Sequence, residues 1–199
     1  MTNAGIQRDG GLAEAPILGD HLAMDLMNTQ ARSNGALVDY WNSGGDVLAW
    51  LARCGVVPAE GGIDLDVLLA RATALRTLAH RLIVQRKEDE PGDASALNPY
   101  LHAYLSAPHL DRDSEGKLML TRMARGDALA SLLGPVAESV AQLLVDGDFT
   151  LVKQCEHPDC ILWFYDRTKA HKRRWCSMAL CGNRYKAAQF RKRSSGETQ

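Results

Sequence analysis

Four of the five cysteines fall into two pairs of identical spacing. C-E-H-P-D-C runs from Cys155 to Cys160 and C-S-M-A-L-C from Cys176 to Cys181, with fifteen residues between the pairs. Zinc favours four tetrahedral ligands, with thiolate sulfur at ~2.3 Å, and two short pairs brought together by the intervening chain supply them. Four thiolates fill the coordination sphere and leave no place for an activated water, so the ion expected here is structural. A segment of roughly forty residues has too little core to fold unaided; zinc binding contributes ~10–16 kcal/mol in isolated finger peptides. His157 and His171 read as surface residues rather than ligands, since four cysteines already suffice. Cys54 stands apart, on the apolar side of an expected helix, and reads as a core thiol.

Between the pairs, Ile161 to Tyr165 has the composition of a strand, Asp166 to His171 is polar enough to turn, and Arg173-Arg174-Trp175 is expected to return. Ser177 is placed to cap a helix running through Asn183, Ala187 and Phe190. The order is therefore knuckle, hairpin, helix, a treble-clef-like zinc finger. Charge separates this segment from the rest: residues 1–152 hold 12 Lys/Arg against 20 Asp/Glu, whereas residues 153–193 hold 11 Lys/Arg against 3, a surplus of +8. A one-sided surplus of that size suits a polyanionic partner.

The chain ahead of the finger reads as mostly helical, giving an α+β protein overall. Residues 1–16 look like a flexible arm, 17–148 like one domain, 149–193 like the finger and 194–199 like a disordered tail. Leu18 to Asn28 fits either a helix or an alternating strand, with helix preferred. Asp46 is expected to cap a short helix stopped by Gly55, and Asp64 to cap a long one ending in the polar run at Lys87. Asn98-Pro99 opens a further turn of helix that Pro108 ends. Residues 109–113 and 117–123 read as a β-hairpin around Gly116, and 127–145 as a helix broken or kinked at Pro135. The N-terminus lacks the pattern of a secretory signal and no run of ~18 apolar residues is evident, so a cytoplasmic location is expected, where thiols stay reduced.

The string from Trp175 to Arg184, W-C-S-M-A-L-C-G-N-R, preceded by C-E-H-P-D-C and Trp163-Phe164-Tyr165-Asp166, resembles the CGNR zinc finger. His21 to Thr29 resembles the opening motif of the ABATE domain that accompanies this finger, and Asp46 to Gly55 its Trp-Leu helix, with Met24 and Met27 where leucine or valine is expected. The resemblance implies a bacterial transcription regulator, described as stress-induced, with Cys155, Cys160, Cys176 and Cys181 as ligands of one zinc ion.

Lys172, Arg173, Arg174, Asn183, Arg184, Lys186 and Arg191 are the candidate nucleic-acid contacts, with DNA as the partner. Asn183 could pair with a base edge or support the zinc site beside Cys181. Asp25, Asn28 and Thr29 form a polar cluster that serves local hydrogen bonding or a small-molecule effector. No nucleophile or phosphate loop accompanies them, and His171 is the sole plausible general base near the hairpin, so no enzyme is expected. The competing reading is a zinc-stabilised protein-interaction module without sequence-specific DNA binding.

Overall fold

The structure is a computed structural model that describes residues 14–33, 35–56, 62–125 and 127–196. Most of the expected arm, residues 1–13, and residues 197–199 of the expected tail lie outside the described residues. Two compact units form, one from the residues up to Tyr40 together with those from Asp148 onward, the other from Trp41–Gly147.

In the first unit Ala15 and Pro16 are already buried, so order begins ahead of the expected start at Ile17. Helix α1 (Leu22–Met27) is capped by His21, whose Nδ1 accepts from the Ala23 amide at 3.2 Å. Met24 and Met27 are buried as leucines would be. Strands β1 (Gln30–Ser33) and β2 (Ala36–Asp39) form an antiparallel hairpin with Ser33 opposite Ala36. Asn-Gly, the dipeptide that two-residue hairpin turns favour, stands between them in the sequence, and Gly35 has φ 80°.

The second unit opens with α2 (Gly44–Arg53). Ser43, not Asp46, is its cap: Ser43 Oγ accepts from the Asp46 amide, and Asp46 Oδ2 accepts in return from Ser43 Oγ and the Asn42 amide. Asp46 thus takes the third helical position of a reciprocal box. Gly55, at φ 78°, ends the helix as expected, and Cys54 is a half-buried C-cap rather than a core thiol. Helix α3 (Leu65–Lys87) is capped by Asp64 and buries Leu68, Ala72, Leu75, Ala79, Leu82 and Ile83 at helical spacing. A Cβ on Gly44 would lie 2.2 Å from the Leu65 carbonyl oxygen, so glycine is what lets these two helix starts meet.

A 3-10 turn, Ala94–Leu97, leads into α4 (Asn98–Ala103), which makes Asn98 a helical residue rather than a cap. Strands β3 (Leu105–Arg112) and β4 (Leu118–Arg125) are longer than expected, and Pro108 lies inside β3. In a two-stranded sheet each strand has an open edge, where the missing proline N–H costs nothing. Helix α5 (Ala128–Asp146) continues past Pro135. It is long and apolar enough to cross a membrane, which the sequence reading did not anticipate, but ten of its residues are buried and it packs on α3 and α4.

Back in the first unit, β5 (Val152–Gln154) pairs antiparallel with β6 (Trp163–Tyr165), and a π-helical turn, Met178–Gly182, leads into α6 (Asn183–Gly196). The hairpin therefore encloses the first cysteine pair instead of lying between the pairs. Arg173-Arg174-Trp175 is not a strand. The Arg173 amide is held instead by a carboxylate of Asp166, and Arg174 O takes a single bond from the Glu156 amide. Helix α6 runs through Ser194 to Gly196, where a disordered tail was expected.

Candidate metal centre and basic surface

The hairpin loop and the π-helical turn bring Cys155, Cys160, Cys176 and Cys181 together, with all four sulfurs within 4.8 Å of one another. The Cys176–Cys181 and Cys160–Cys176 separations are 3.5 and 3.8 Å. A tetrahedron with ~2.3 Å metal–sulfur bonds has edges of ~3.8 Å, close to these two separations, so this donor set fits one zinc ion. Cys160 is half-buried and the other three are buried. His157 and His171 stay outside. His157 Nδ1 accepts from the Asp159 amide within the first loop, and the His171 ring lies on the Asp166 carbonyl.

Local chemistry explains how the second pair is held. Ser177 Oγ accepts from the Ala179 and Leu180 amides and starts the turn that carries Cys181 inward. A Cβ on Gly182 would lie 2.6 Å from Met178 Sδ and 3.2 Å from Trp175 Cδ1. A side chain here would displace the Met178 thioether and press on Trp175. Arg184 Nη2 sits 3.2 Å from Cys181 Sγ while its Nε bonds Leu180 O at 3.0 Å. Four thiolates around one divalent ion make a doubly negative centre, which this guanidinium partly offsets. Arg184 therefore serves the metal. Asn183, its neighbour, is exposed.

Asp166, at the end of the Trp-Phe-Tyr-Asp string and expected only to open a polar turn, is a buried acceptor. Its side chain is fully buried and accepts from Lys153 Nζ at 2.7 Å, the Arg173 amide at 2.9 Å, and both the amide and hydroxyl of Thr168. Burial alone would raise its pKa, but these hydrogen bonds hold the carboxyl well below the ordinary carboxylate range.

The opening segment belongs to this site. Asn28 Nδ2 donates to Trp163 O and Asn28 Oδ1 accepts from the Trp163 amide, both at 2.8 Å, so one amide side chain completes the free edge of β6. Gly19 O accepts from the Tyr165 amide, and Asp25 Oδ1 takes the Leu18 and Gly19 amides at 2.8 and 2.7 Å. Desolvation pushes the Asp25 carboxyl up to about 6 despite those two bonds. Thr29 Oγ1 donates to Leu26 O. All three members of the expected polar cluster thus make structural bonds. Arg173 ties the same segment down: its guanidinium pairs with Asp20, donates to Leu18 O, Trp175 O and Cys176 O, and lies over the Phe164 ring at 4.2 Å.

The expected nucleic-acid contacts accordingly divide. Arg173 is largely buried, Arg174 pairs with Glu156 at 2.6 Å, and Arg184 reaches the metal site. Lys172, Asn183, Lys186 and Arg191 are exposed, as are Lys192 and Arg193, which the expected set omitted. An open groove of about 570 Å³ runs beside Lys172, Arg174, Trp175 and Ser177.

Fold and site together define a zinc-finger protein whose metal is structural. Two family models match the chain: ABATE, described as “Putative stress-induced transcription regulator”, over residues 20–147, and the CGNR zinc finger over residues 152–194. The chain belongs to the ABATE family and carries a C-terminal CGNR zinc finger. No curated protein matches it. The ABATE match crosses the boundary between the compact units, because its first twenty or so residues pack with the finger.

Proposed function

We propose that this protein is a cytoplasmic, non-enzymatic transcription regulator that binds DNA through its zinc finger. The observation that supports this reading is an exposed helix of one charge sign: α6 carries Arg184, Lys186, Arg191, Lys192 and Arg193 and no acidic residue. With zinc bound, the thiolates reduce the local surplus but leave it strongly positive. The test is fluorescence anisotropy of the zinc-loaded chain with a labelled duplex. Binding at ~50 mM salt is expected to fall by two or more orders of magnitude at ~200 mM, because phosphate neutralisation releases counterions. Absence of binding at low salt would refute it. Lys186→Glu with Arg191→Glu is the charge reversal of choice, since reversing Arg173 would break the finger itself.

In Trp41–Gly147 a cavity beside Arg71, Tyr100 and Asp127 has a volume of about 90 Å³, below the ~300 Å³ at which drug-sized ligands are held. A second reading, protein interaction, is favoured by the β3–β4 hairpin, where Leu110 and Leu120 face each other at 62% and 77% exposure. Leu110→Lys with Leu120→Lys is expected to lower the sedimentation-derived mass if this hairpin mediates self-association.

A further inference from the structure

Helix α6 sorts its residues by face. Tyr185, Ala188 and Gln189 are half-buried, and the Tyr185 ring lies 4.8 Å from that of Trp175, so this side turns to the zinc centre. The opposite side is exposed. Along its middle run Asn183, Ala187, Phe190 and Ser194, whose steps of four, three and four keep them in one line at 3.6 residues per turn. Lys186 and Arg193 edge that line on one side and Arg191 on the other, where Arg184 at the helix start is bonded to Cys181 Sγ and Leu180 O. Phe190, on the middle line, is 72% exposed, where a core-facing helix would turn its aromatic inward.

We infer that α6 lies in the major groove of duplex DNA, with Asn183, Ala187 and Phe190 against base edges and the cationic edges against the two flanking backbones. This rests on the DNA-binding reading above and adds to it the duplex form and the residues that read sequence. A groove ~12 Å wide admits a helix of ~10–12 Å diameter, and it is bordered by phosphates on both sides, as the two edges require. The major groove of A-form RNA is too deep and narrow for a helix, and a single strand offers one backbone. An asparagine amide pairs with N6 and N7 of adenine, while alanine and phenylalanine contact the thymine methyl. Asn183 and Phe190 are seven residues apart, ~10 Å along the axis, or about three base-pair steps of ~3.4 Å. The recognised element is therefore a short A·T-containing site with an adenine and a thymine about three base pairs apart. Arg184, fixed to Cys181, anchors the helix start and hence the register of Asn183.

The test is selection of bound sequences from a randomised duplex pool with the full zinc-loaded chain, followed by affinities of wild type, Asn183→Ala, Phe190→Ala and Arg193→Ala. All three side chains are exposed, and zinc content confirms that each variant retains its finger. Asn183→Ala is expected to relax discrimination at the adenine by about 5- to 100-fold. Replacing the thymine with uracil should weaken wild type and leave Phe190→Ala unaffected. Arg193→Ala should weaken all duplexes alike and reduce the salt slope by about one. If wild type binds DNA but selects no sequence, binds duplex RNA equally well, or keeps its preference in both Asn183→Ala and Phe190→Ala, the groove assignment is overturned while polyanion binding stands. Failure to bind any duplex at low salt overturns both.

Discussion

The two units of this molecule are held together by different means. In Trp41–Gly147 the core is a continuous set of apolar side chains from α2, α3 and α5, such as Trp50, Leu68, Leu75, Ile83, Leu132 and Val140. Its stability is spread over many interchangeable contacts. In the finger unit Ala31, Leu162, Phe164 and the cysteines form one cluster, α1 and β5 add Met24, Leu26, Met27 and Val152, and point links join these small groups: the metal, Asp166, Asn28 and Arg173.

The largest effect that can break this contrast is removal of zinc. A chelator, or Cys176→Ala, removes a contribution of ~10–16 kcal/mol, as much as a domain's entire net stability. Limited proteolysis is expected to cut the chain beyond Asp148 and ahead of Tyr40 while sparing α3 and α5. Unchanged protection of the finger after verified metal loss would show that its apolar centre suffices.

The comparison sharpens with a matched pair. Asp166→Ala removes the acceptor of the Arg173 and Thr168 amides and leaves the Lys153 ammonium with the His171 carbonyl alone, at a cost of about 3 kcal/mol. Leu132→Ala in α5 should cost a similar ~2–5 kcal/mol through its cavity. Competition with a chromogenic chelator separates them: zinc affinity should fall for Asp166→Ala and stay at the wild-type value for Leu132→Ala. A smaller loss, about 2 kcal/mol, is expected for Asn28→Ala, which deletes two bonds to Trp163 across 135 residues of sequence. Faster zinc transfer to the chelator would mark Asn28 as part of the finger. A rate equal to wild type would confine its role to the ABATE segment.

Periodicity made α3 and the four cysteines legible, because apolar spacing and metal-ligand spacing are both local signals. The β5–β6 pairing was misplaced because its partners flank the first cysteine pair and only the three-dimensional closure of the metal loop selects them. Asp166, Asn28 and Arg173 carry nothing in sequence that separates a buried link from a solvated polar group. Arg173 shows the consequence: as one of eleven cations it looked like a phosphate contact, and its guanidinium instead clamps Leu18 and Asp20. The cap of α2 was expected three residues too far along, at Asp46 instead of Ser43, since either side chain can cap.

The smallest expected effect concerns Asp25, the point link whose charge state is set by burial. Both amide donors fall on Oδ1, so Oδ2 can carry a proton, and desolvation raises the pKa from its ordinary value near 3.8 to about 6. A raised folded-state pKa means that the folded protein binds the proton more tightly than the unfolded chain. This contribution is therefore fully present below pH ~4, declines as pH rises towards about 6, and stays lost above. Asp25→Asn keeps the acceptor without the charge and should lie within about 1 kcal/mol of wild type at pH 5. Thermal unfolding in the presence of zinc between pH 4 and pH 7.5 tests this through the difference between the two proteins, because protonation of the zinc thiolates and of His21 is common to both. The variant should gain on wild type as pH rises from about 4 to about 6 and hold that margin above. A constant difference would mean that the two backbone bonds outweigh desolvation and that Asp25 is ionised throughout, which would place it with Asp166 as a charged link of the finger.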